Sequence, residues 1–494
     1  MQITQVSLTK DIGILATMLK IQTLLPAAII SLCLTQANVA WATNASLDSP
    51  KLVNLSQVGR AENKKAIASF EQGINLYTQG DLKGAEAAFR KAIEIEPNYA
   101  QAYIGLGNTL DDQGKPQEAI ASYRQAISIN PKDPDAYLHL GLTFTRLNRL
   151  DDAIAEYQKA IAISPTNAEA HYKLGNALYY QDKLAAAIVE FETVIRLEPK
   201  SPLGYTALGN ALYDQGKIPE AIAHYQTAIK LEPKYPEAHY RLGIAYYEQG
   251  KLDAAISEYT ETIRLEPNYA PTYARLGNAL YAQGKAEEAI AQYKKAISLN
   301  PKYTPARYYL GSAYQDLGKL EAAIEEYQAA IRLEPQQPLG YNLLGNVLYA
   351  QGKTEAAIAQ YKKAISLDPK YAEAHYDLAR ALYEGGKLPE AAAEYTETIR
   401  LEPNHSRAYT GLGNTLDDLG KPQEAIAQYK KAISLDPNSA FAYYNLGVTL
   451  SRQQQRDEAV VHLNKAKALF QAQENKEMVE RVEQLLQKIN SQIN

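Results

Sequence analysis

From Ala66 onward the chain repeats one pattern of apolar and polar positions every 34 residues, and the pattern predicts pairs of helices. Counted from the first residue of each unit, positions 4, 7, 8 and 11 share one helical face, because residues three and four apart stack along a helix. Position 8 is Gly in eleven units, from Gly73 to Gly447, and Ala379 in the other. Glycine inside a helix costs roughly 0.5–1 kcal/mol relative to alanine, so keeping it implies a helix–helix approach too close for a side chain. Position 20 is Ala in all twelve units, Ala85 through Ala459, which fits the facing helix of the same pair. Position 27 is Ala in nine, with Val194, Thr262 and Thr398 as exceptions, and predicts a second close contact toward the next unit.

The breaks are as regular as the helices. Position 15 is Gly in nine units, Asn148 and Asp182 in two, and Gln454 in the last. Glycine, asparagine and aspartate take positive φ most readily, as a tight helix-ending turn requires. Position 32 is proline eleven times, from Pro97 to Pro437, and stops the second helix because it lacks an N–H and disfavours helical geometry in the residue before it.

Twelve such units fill residues 66–473. Residues 474–494 carry Val479, Val482, Leu485, Leu486 and Ile489 as one apolar stripe, the pattern of a capping helix over the last hydrophobic face. At the other end, residues 43–65 read as a polar linker and residues 1–42 as a signal peptide. Lys10 and Lys20 precede an uncharged, mostly apolar stretch, Ile21 to Leu34, and Ala40-Trp41-Ala42 offers small residues at a cleavage spacing. Export to a periplasmic or extracellular compartment follows from that reading. An uncleaved membrane anchor is the alternative, against which Gln22, Thr23, Pro26, Thr35, Gln36 and Asn38 interrupt the roughly 20 apolar residues a span needs.

The residues also carry a resemblance. Leu106-Gly107, Leu110, Ala119, Tyr123, Ala126 and Pro131 stand where the tetratricopeptide repeat pattern has Leu-Gly, Tyr, Ala, Phe, Ala and Pro, and residues 168–201 fit as well. The family's tryptophan at position 4 is replaced here by Tyr103, Tyr137, His171, Tyr205, His239, Tyr273, Arg307, Tyr341, His375 and Tyr409. The resemblance implies an all-α fold: an α-solenoid of about twelve helix-turn-helix repeats in a right-handed superhelix, with the first helices lining an inner groove. It also implies a surface that binds a protein or peptide.

Composition narrows the chemistry further. Cleavage after Ala42 would remove Cys33 and Trp41, the only cysteine and the only tryptophan, so sulfur redox chemistry is excluded from the remaining 452 residues. The same cut takes the formal net charge from −5 to −6, which attracts neither nucleic acid phosphates nor an anionic membrane. Membrane contact is expected only if the N-terminal segment stays in place. No cofactor and no metal is expected. His171, His239 and His375 occupy one position in units at least two apart, roughly 20 Å or more at helix spacings of 8–10 Å, too far for zinc ligands about 2 Å from a metal. Asp111-Asp112 and Asp417-Asp418 stand at opposite ends of the array, and no P-loop, HExxH or Gly-x-Ser-x-Gly occurs, so no catalytic residue is assigned.

Positions 5, 9 and 12 form a second stripe on each first helix, and the resemblance places it in the groove. Position 5 supplies Tyr172, Tyr240, Tyr308 and Tyr376; position 9 supplies Asn108, Asn176, Asn210, Asn278, Asn346 and Asn414; position 12 supplies Tyr179, Tyr213, Tyr281, Tyr349 and Tyr383. An amide both donates to and accepts from a peptide backbone, and tyrosine offers apolar area with little entropy to lose. These residues are the expected binding surface for an extended peptide. Two other readings stay open. The tyrosines pack against neighbouring units and the asparagines satisfy local groups, or the aromatic and amide row handles glycans in envelope or exopolysaccharide assembly. The carboxylate clamp of some family members needs Lys at position 5 before the asparagine. Here Ile104, Tyr172, Thr206, Ala274, Asn342 and Thr410 stand there, so that clamp is not expected.

Overall fold

The computed structural model describes residues 60–491. The expected signal peptide and most of the linker lie outside the described residues. The described residues form 25 helices, and they group into two compact units that divide between Gln283 and Gly284, inside the seventh repeat. Within each unit the helices stack as antiparallel pairs, apart from the one helix that each contributes to the divided seventh repeat, and the C-terminal unit ends in one further helix.

Each repeat places its first helix over positions 1–13 and its second over positions 17–30, as in Ala100–Asp112 with Pro116–Ile129 and Pro202–Asp214 with Ile218–Leu231. The first helix of the array is longer, Arg60–Thr78, so the last six residues of the expected linker are helical. The turn between helices takes the predicted form. Gly216 has φ 79°, and Lys217 N–H donates back to Leu212 C=O at 2.9 Å, the bond that closes a left-handed helix end. Asn148, Asp182 and also Gln454 take φ of 57°, 59° and 61°. The turn geometry therefore overrides residue preference in the last repeat.

The reason for glycine at position 8 is a ring rather than a backbone. A Cβ on Gly141 would lie 2.5 Å from Cε1 of Tyr157, and one on Gly345 the same distance from Tyr361. Those rings stand at position 24 of the same repeat and are 1% exposed. Each fully buried ring contributes about 1.5–3 kcal/mol, which outweighs the helix propensity that glycine gives up. The alanines of position 20 are 0% exposed beside them.

The last helix, Lys476–Ser491, buries Met478, Val482 and Ile489 against Ala440, Leu463, Ala466 and Phe470, with Val479, Leu485 and Leu486 packed at the edge. The predicted capping stripe is present, extended by Met478.

Candidate functional site

The expected surface divides by position. At position 5, Tyr240, Tyr308 and Tyr376 are only 5%, 1% and 9% exposed. Their rings turn toward their own repeat's second helix and exit segment: Tyr240 lies 6.3 Å from Tyr259 and 5.7 Å from Tyr269, and Tyr376 lies 6.0 Å from Tyr395 and 4.7 Å from His405. Tyr172 is half-buried and sits 6.1 Å from Phe191. This corrects the expectation that position 5 lines an open face. The residue is sandwiched between positions 24 and 34, and its burial there is part of the core.

Position 9 remains half-exposed at Asn108, Asn176, Asn210, Asn346 and Asn414, whereas Asn278 is 1% exposed and is corrected to a core residue. The amides have a partner that the sequence pattern did not suggest. The buried hydroxyls of Tyr123, Tyr225, Tyr361 and Tyr429 donate to Oδ1 of Asn108, Asn210, Asn346 and Asn414 at 2.7, 2.9, 2.7 and 2.9 Å. A phenol enclosed in apolar surroundings is costly without a hydrogen bond, and the asparagine supplies it. Asn176 faces Phe191 across the pair and hydrogen-bonds Tyr172 instead. The signal was available in the sequence: five of the six position-9 asparagines stand fifteen residues before a tyrosine, and the repeat with Asn176 has Phe191 there. The hydroxyl fills one of the two acceptor sites on Oδ1 and orients the amide N–H groups; Asn414 Oδ1 accepts a second bond, from Asn445 Nδ2 at 2.8 Å.

Position 12 forms a second coupling, between repeats. Tyr77 and Tyr179 donate to Asp112 and Asp214 at position 13 of the following repeat, and Tyr383 donates 2.6 Å to Asp418. Burial and then the aspartate push the Tyr77 and Tyr383 hydroxyls well above their ordinary range, and Tyr213 rises for the same reasons, with Glu248 as the carboxylate. These hydroxyls stay protonated and donate along the row. Tyr179, Tyr213, Tyr281, Tyr349 and Tyr383 are all half-buried, each with part of the ring open.

In the N-terminal unit the two couplings meet in one cleft of about 40 Å³, lined by Tyr179, Asn210, Tyr213, Asp214, Arg241 and Ile244, with Tyr225 as its floor. Three consecutive repeats contribute. Arg241 is held by Glu237 at 2.6 Å, one helical turn earlier. In the C-terminal unit, the first helices place Asn346, Tyr349 and Tyr383 in equivalent positions, but position 9 of repeat 372–405 is Arg380, whose guanidinium lies 5.1 Å from the Tyr349 ring and 5.8 Å from the Tyr376 ring.

The other singled-out residues are structural. His171, His239 and His375 each pair Nδ1 with a glutamate of the second helix, Glu190, Glu258 and Glu394, at 2.6, 2.6 and 2.5 Å. Their Nε2 atoms reach the carbonyls of Pro165, Pro233 and Pro369 at 3.1–3.2 Å. Tyr137, Tyr205, Tyr273 and Tyr341 send hydroxyls to the equivalent proline carbonyls, and so does the Arg307 guanidinium to Pro301. Position 4 therefore selects for a donor that spans to the preceding repeat, which is why arginine can stand there. Asp111 accepts from Thr143 at 2.8 Å and pairs with Arg146 at 3.1 Å, while Asp417 accepts from Thr449 at 2.9 Å and pairs with Arg452. Among the described residues no group of three or more His, Cys, Asp or Glu could hold a metal ion, and no described helix is long and apolar enough to cross a membrane.

A TPR repeat pattern matches nine overlapping segments between residues 73 and 384 and a tenth at residues 413–454, and tetratricopeptide repeat patterns match residues 372–405, 394–427 and 442–472. The chain belongs to the tetratricopeptide repeat family. Among solved structures, this TPR protein is similar to the APC/C hetero-tetramer Cut9-Hcn1, at 14% identity and a TM-score of 0.45, over 86% of this chain and 96% of that one. It is similar to yeast Tom70 at 16% identity and a TM-score of 0.43, over 87% of this chain and 96% of that one. The TPR protein YrrB, described as having an unusual peptide-binding site, is 24% identical with a TM-score of 0.32, over 37% of this chain and 95% of that one. No curated protein matches the chain.

Proposed function

We propose that this TPR protein is a non-catalytic scaffold that binds an extended peptide or protein segment across the face of its first helices. The observation that carries the reading is the cleft between Tyr179, Asn210, Tyr213 and Arg241, where three successive repeats present a donor amide, open ring area and a guanidinium side by side. A peptide backbone offers a carbonyl every residue, and amides oriented by a tyrosine at Oδ1 present N–H groups to it. Half-exposed tyrosines add apolar contact at low entropic cost. This set binds and holds; it contains no paired acid and base and no activated nucleophile.

A photocrosslinking residue at Ile244, inside the cleft, should capture protein partners in an extract of the native source, and one at Val189, exposed on a second helix, should not. Capture at Val189 with none at Ile244 would move the surface to the other side of the repeats. Loss of the Ile244 adduct to soluble polysaccharide, with no effect of unfolded peptides, would favour a glycan ligand instead.

A further inference from the structure

The tyrosines of position 12 are matched to a second, acidic row. Position 13 is Asp or Glu in six repeats, and in all six the residue 35 earlier, at position 12 of the preceding repeat, is tyrosine. Of the seven tyrosines at position 12, only Tyr247 lacks such an acid. In the N-terminal unit Tyr77 and Tyr179 donate to Asp112 and Asp214, and Tyr213 faces Glu248. In the C-terminal unit Tyr383 donates to Asp418, and Tyr349 faces Glu384.

A staple between repeats does not need a charge. An amide oxygen also accepts from a phenol, as Asn210 does from Tyr225, yet no asparagine or glutamine stands at position 13. The charges there are uncompensated. Asp214, Glu248, Glu384 and Asp418 are exposed, and among the described residues none of the four forms an ion pair. Arg241 and Arg380, on the same helices as Glu248 and Glu384, are held instead by Glu237 and Asp377 at 2.6 and 3.4 Å. A phenol fills one acceptor site of a carboxylate and leaves the others open.

The excess of acid belongs to the first helices. Positions 1–13 of the twelve repeats carry 14 acidic and 8 basic residues, while the whole chain has a formal net charge of −5. That surplus accounts for all of the net charge, and the exposed pairs Lys362-Lys363 and Lys430-Lys431 lie on second helices.

Resting on the reading of the first-helix face as a peptide-binding surface, we propose that the bound segment is basic. A lysine or arginine of the partner lays its methylene stem along a half-exposed position-12 ring and sets its charge against the position-13 carboxylate that the ring's hydroxyl holds in place. Asp214 with Glu248, and Glu384 with Asp418, stand in consecutive repeats of one unit each. Packed helices lie about 8–10 Å apart. A segment in the polyproline II form advances about 3.1 Å per residue and turns once in three, which brings every third side chain to the same side at about 9 Å intervals. Basic residues at every third position therefore match two consecutive carboxylates.

The probes are fluorescein-labelled peptides of four Lys-Pro-Pro or four Gln-Pro-Pro triplets, titrated by anisotropy with the full chain. The lysine peptide should bind about tenfold more tightly than the glutamine peptide in about 50 mM salt and lose that preference in about 500 mM, because salt screens exposed charges. Glu384→Gln with Asp418→Asn keeps an acceptor for Tyr349 and Tyr383, and should weaken binding of the lysine peptide about threefold, as the loss of two exposed ion pairs does. Glu287→Gln with Glu288→Gln removes the same charge from exposed positions on a second helix and should leave binding unchanged. Equal affinity for the two peptides would overturn the basic partner while leaving peptide binding in place, and an equal loss in the second-helix variant would overturn the role of the position-13 row. Binding of neither peptide would also overturn the inference, with capture at Ile244 then judging the scaffold reading by itself.

Discussion

The hydroxyl of Tyr225 donates 2.9 Å to Oδ1 of Asn210, joining the core of a repeat to its exposed face. The ring is 1% exposed and the asparagine half-exposed, so one hydrogen bond both satisfies a buried phenol and orients a surface amide. Tyr225→Phe removes the donor and leaves the ring. The variant should lose about 0.5–1.5 kcal/mol, the usual net value of such a bond, read as a lower urea midpoint. An unchanged midpoint would mean that the bond contributes nothing.

Gly345 is kept for the Tyr361 ring, whose Cε1 would lie 2.5 Å from an added Cβ. Gly345→Ala should therefore destabilise by about 1–3 kcal/mol, as overpacking does, even though alanine is the better helix former. The natural exception, Ala379, stands in the repeat whose Tyr395 ring lies against Gly411 instead. Amide exchange in the helix Pro338–Ala350 would register the change; slower exchange in the variant would show that propensity, not the ring, decides this position.

The paired histidines make stability depend on pH. The Glu258 carboxylate, against an opposing effect of burial, raises His239 above the ordinary imidazole range. At His375 burial alone lowers the value, but Glu394 and the Pro369 carbonyl outweigh it and the shift is again upward. A raised folded-state value means stability that is fully present below the unfolded pKa of about 6.5 and lost as pH rises through the folded value. Burial lowers His139, His224, His405 and His462, which act in the opposite sense, so the readout is a difference: the wild-type midpoint minus that of His239→Gln with His375→Gln should shrink between about pH 6 and pH 8. A difference that grows over this range would contradict the assignment.

The signal-peptide expectation rests on sequence alone and has a simple readout. Cleavage after Ala42 removes Trp41 with Cys33, so the mature protein should show no tryptophan fluorescence and an intact mass that begins at Thr43. Tryptophan emission from protein purified out of its native compartment would show that the segment is retained.

The helices and their turns were legible because each follows from local chemistry repeated along the array, and the final cap because its apolar stripe lies within one short segment. Proline at position 32 stops a helix wherever it occurs, and positive φ at position 15 is needed whatever the neighbours are. The candidate face was only half legible. Helical spacing places positions 5, 9 and 12 on one side, but it does not tell which ring of a neighbouring element covers that side. Tyr308 is 1% exposed for this reason, whereas Tyr213 stays open. The link between Asn210 and Tyr225 was present as a fifteen-residue spacing, yet it becomes readable only once the two helices of a pair are laid together. Position 4 looked like a row of packing rings; Arg307 fits it because the shared property is a donor to a proline carbonyl.

The binding proposal is tested most directly by affinity at the Tyr213–Arg241 cleft. Asn210→Ala is the wrong variant for this, because it also strips Tyr225 of its acceptor. Tyr213→Ala with Arg241→Ala changes only partly exposed side chains. Against a peptide identified by capture at Ile244, measured by titration calorimetry on the full chain, the double variant should bind at least about tenfold more weakly, on the order of 1.4 kcal/mol, with an unchanged far-ultraviolet circular dichroism spectrum. The same affinity in variant and wild type would contradict a ligand held on the first-helix face.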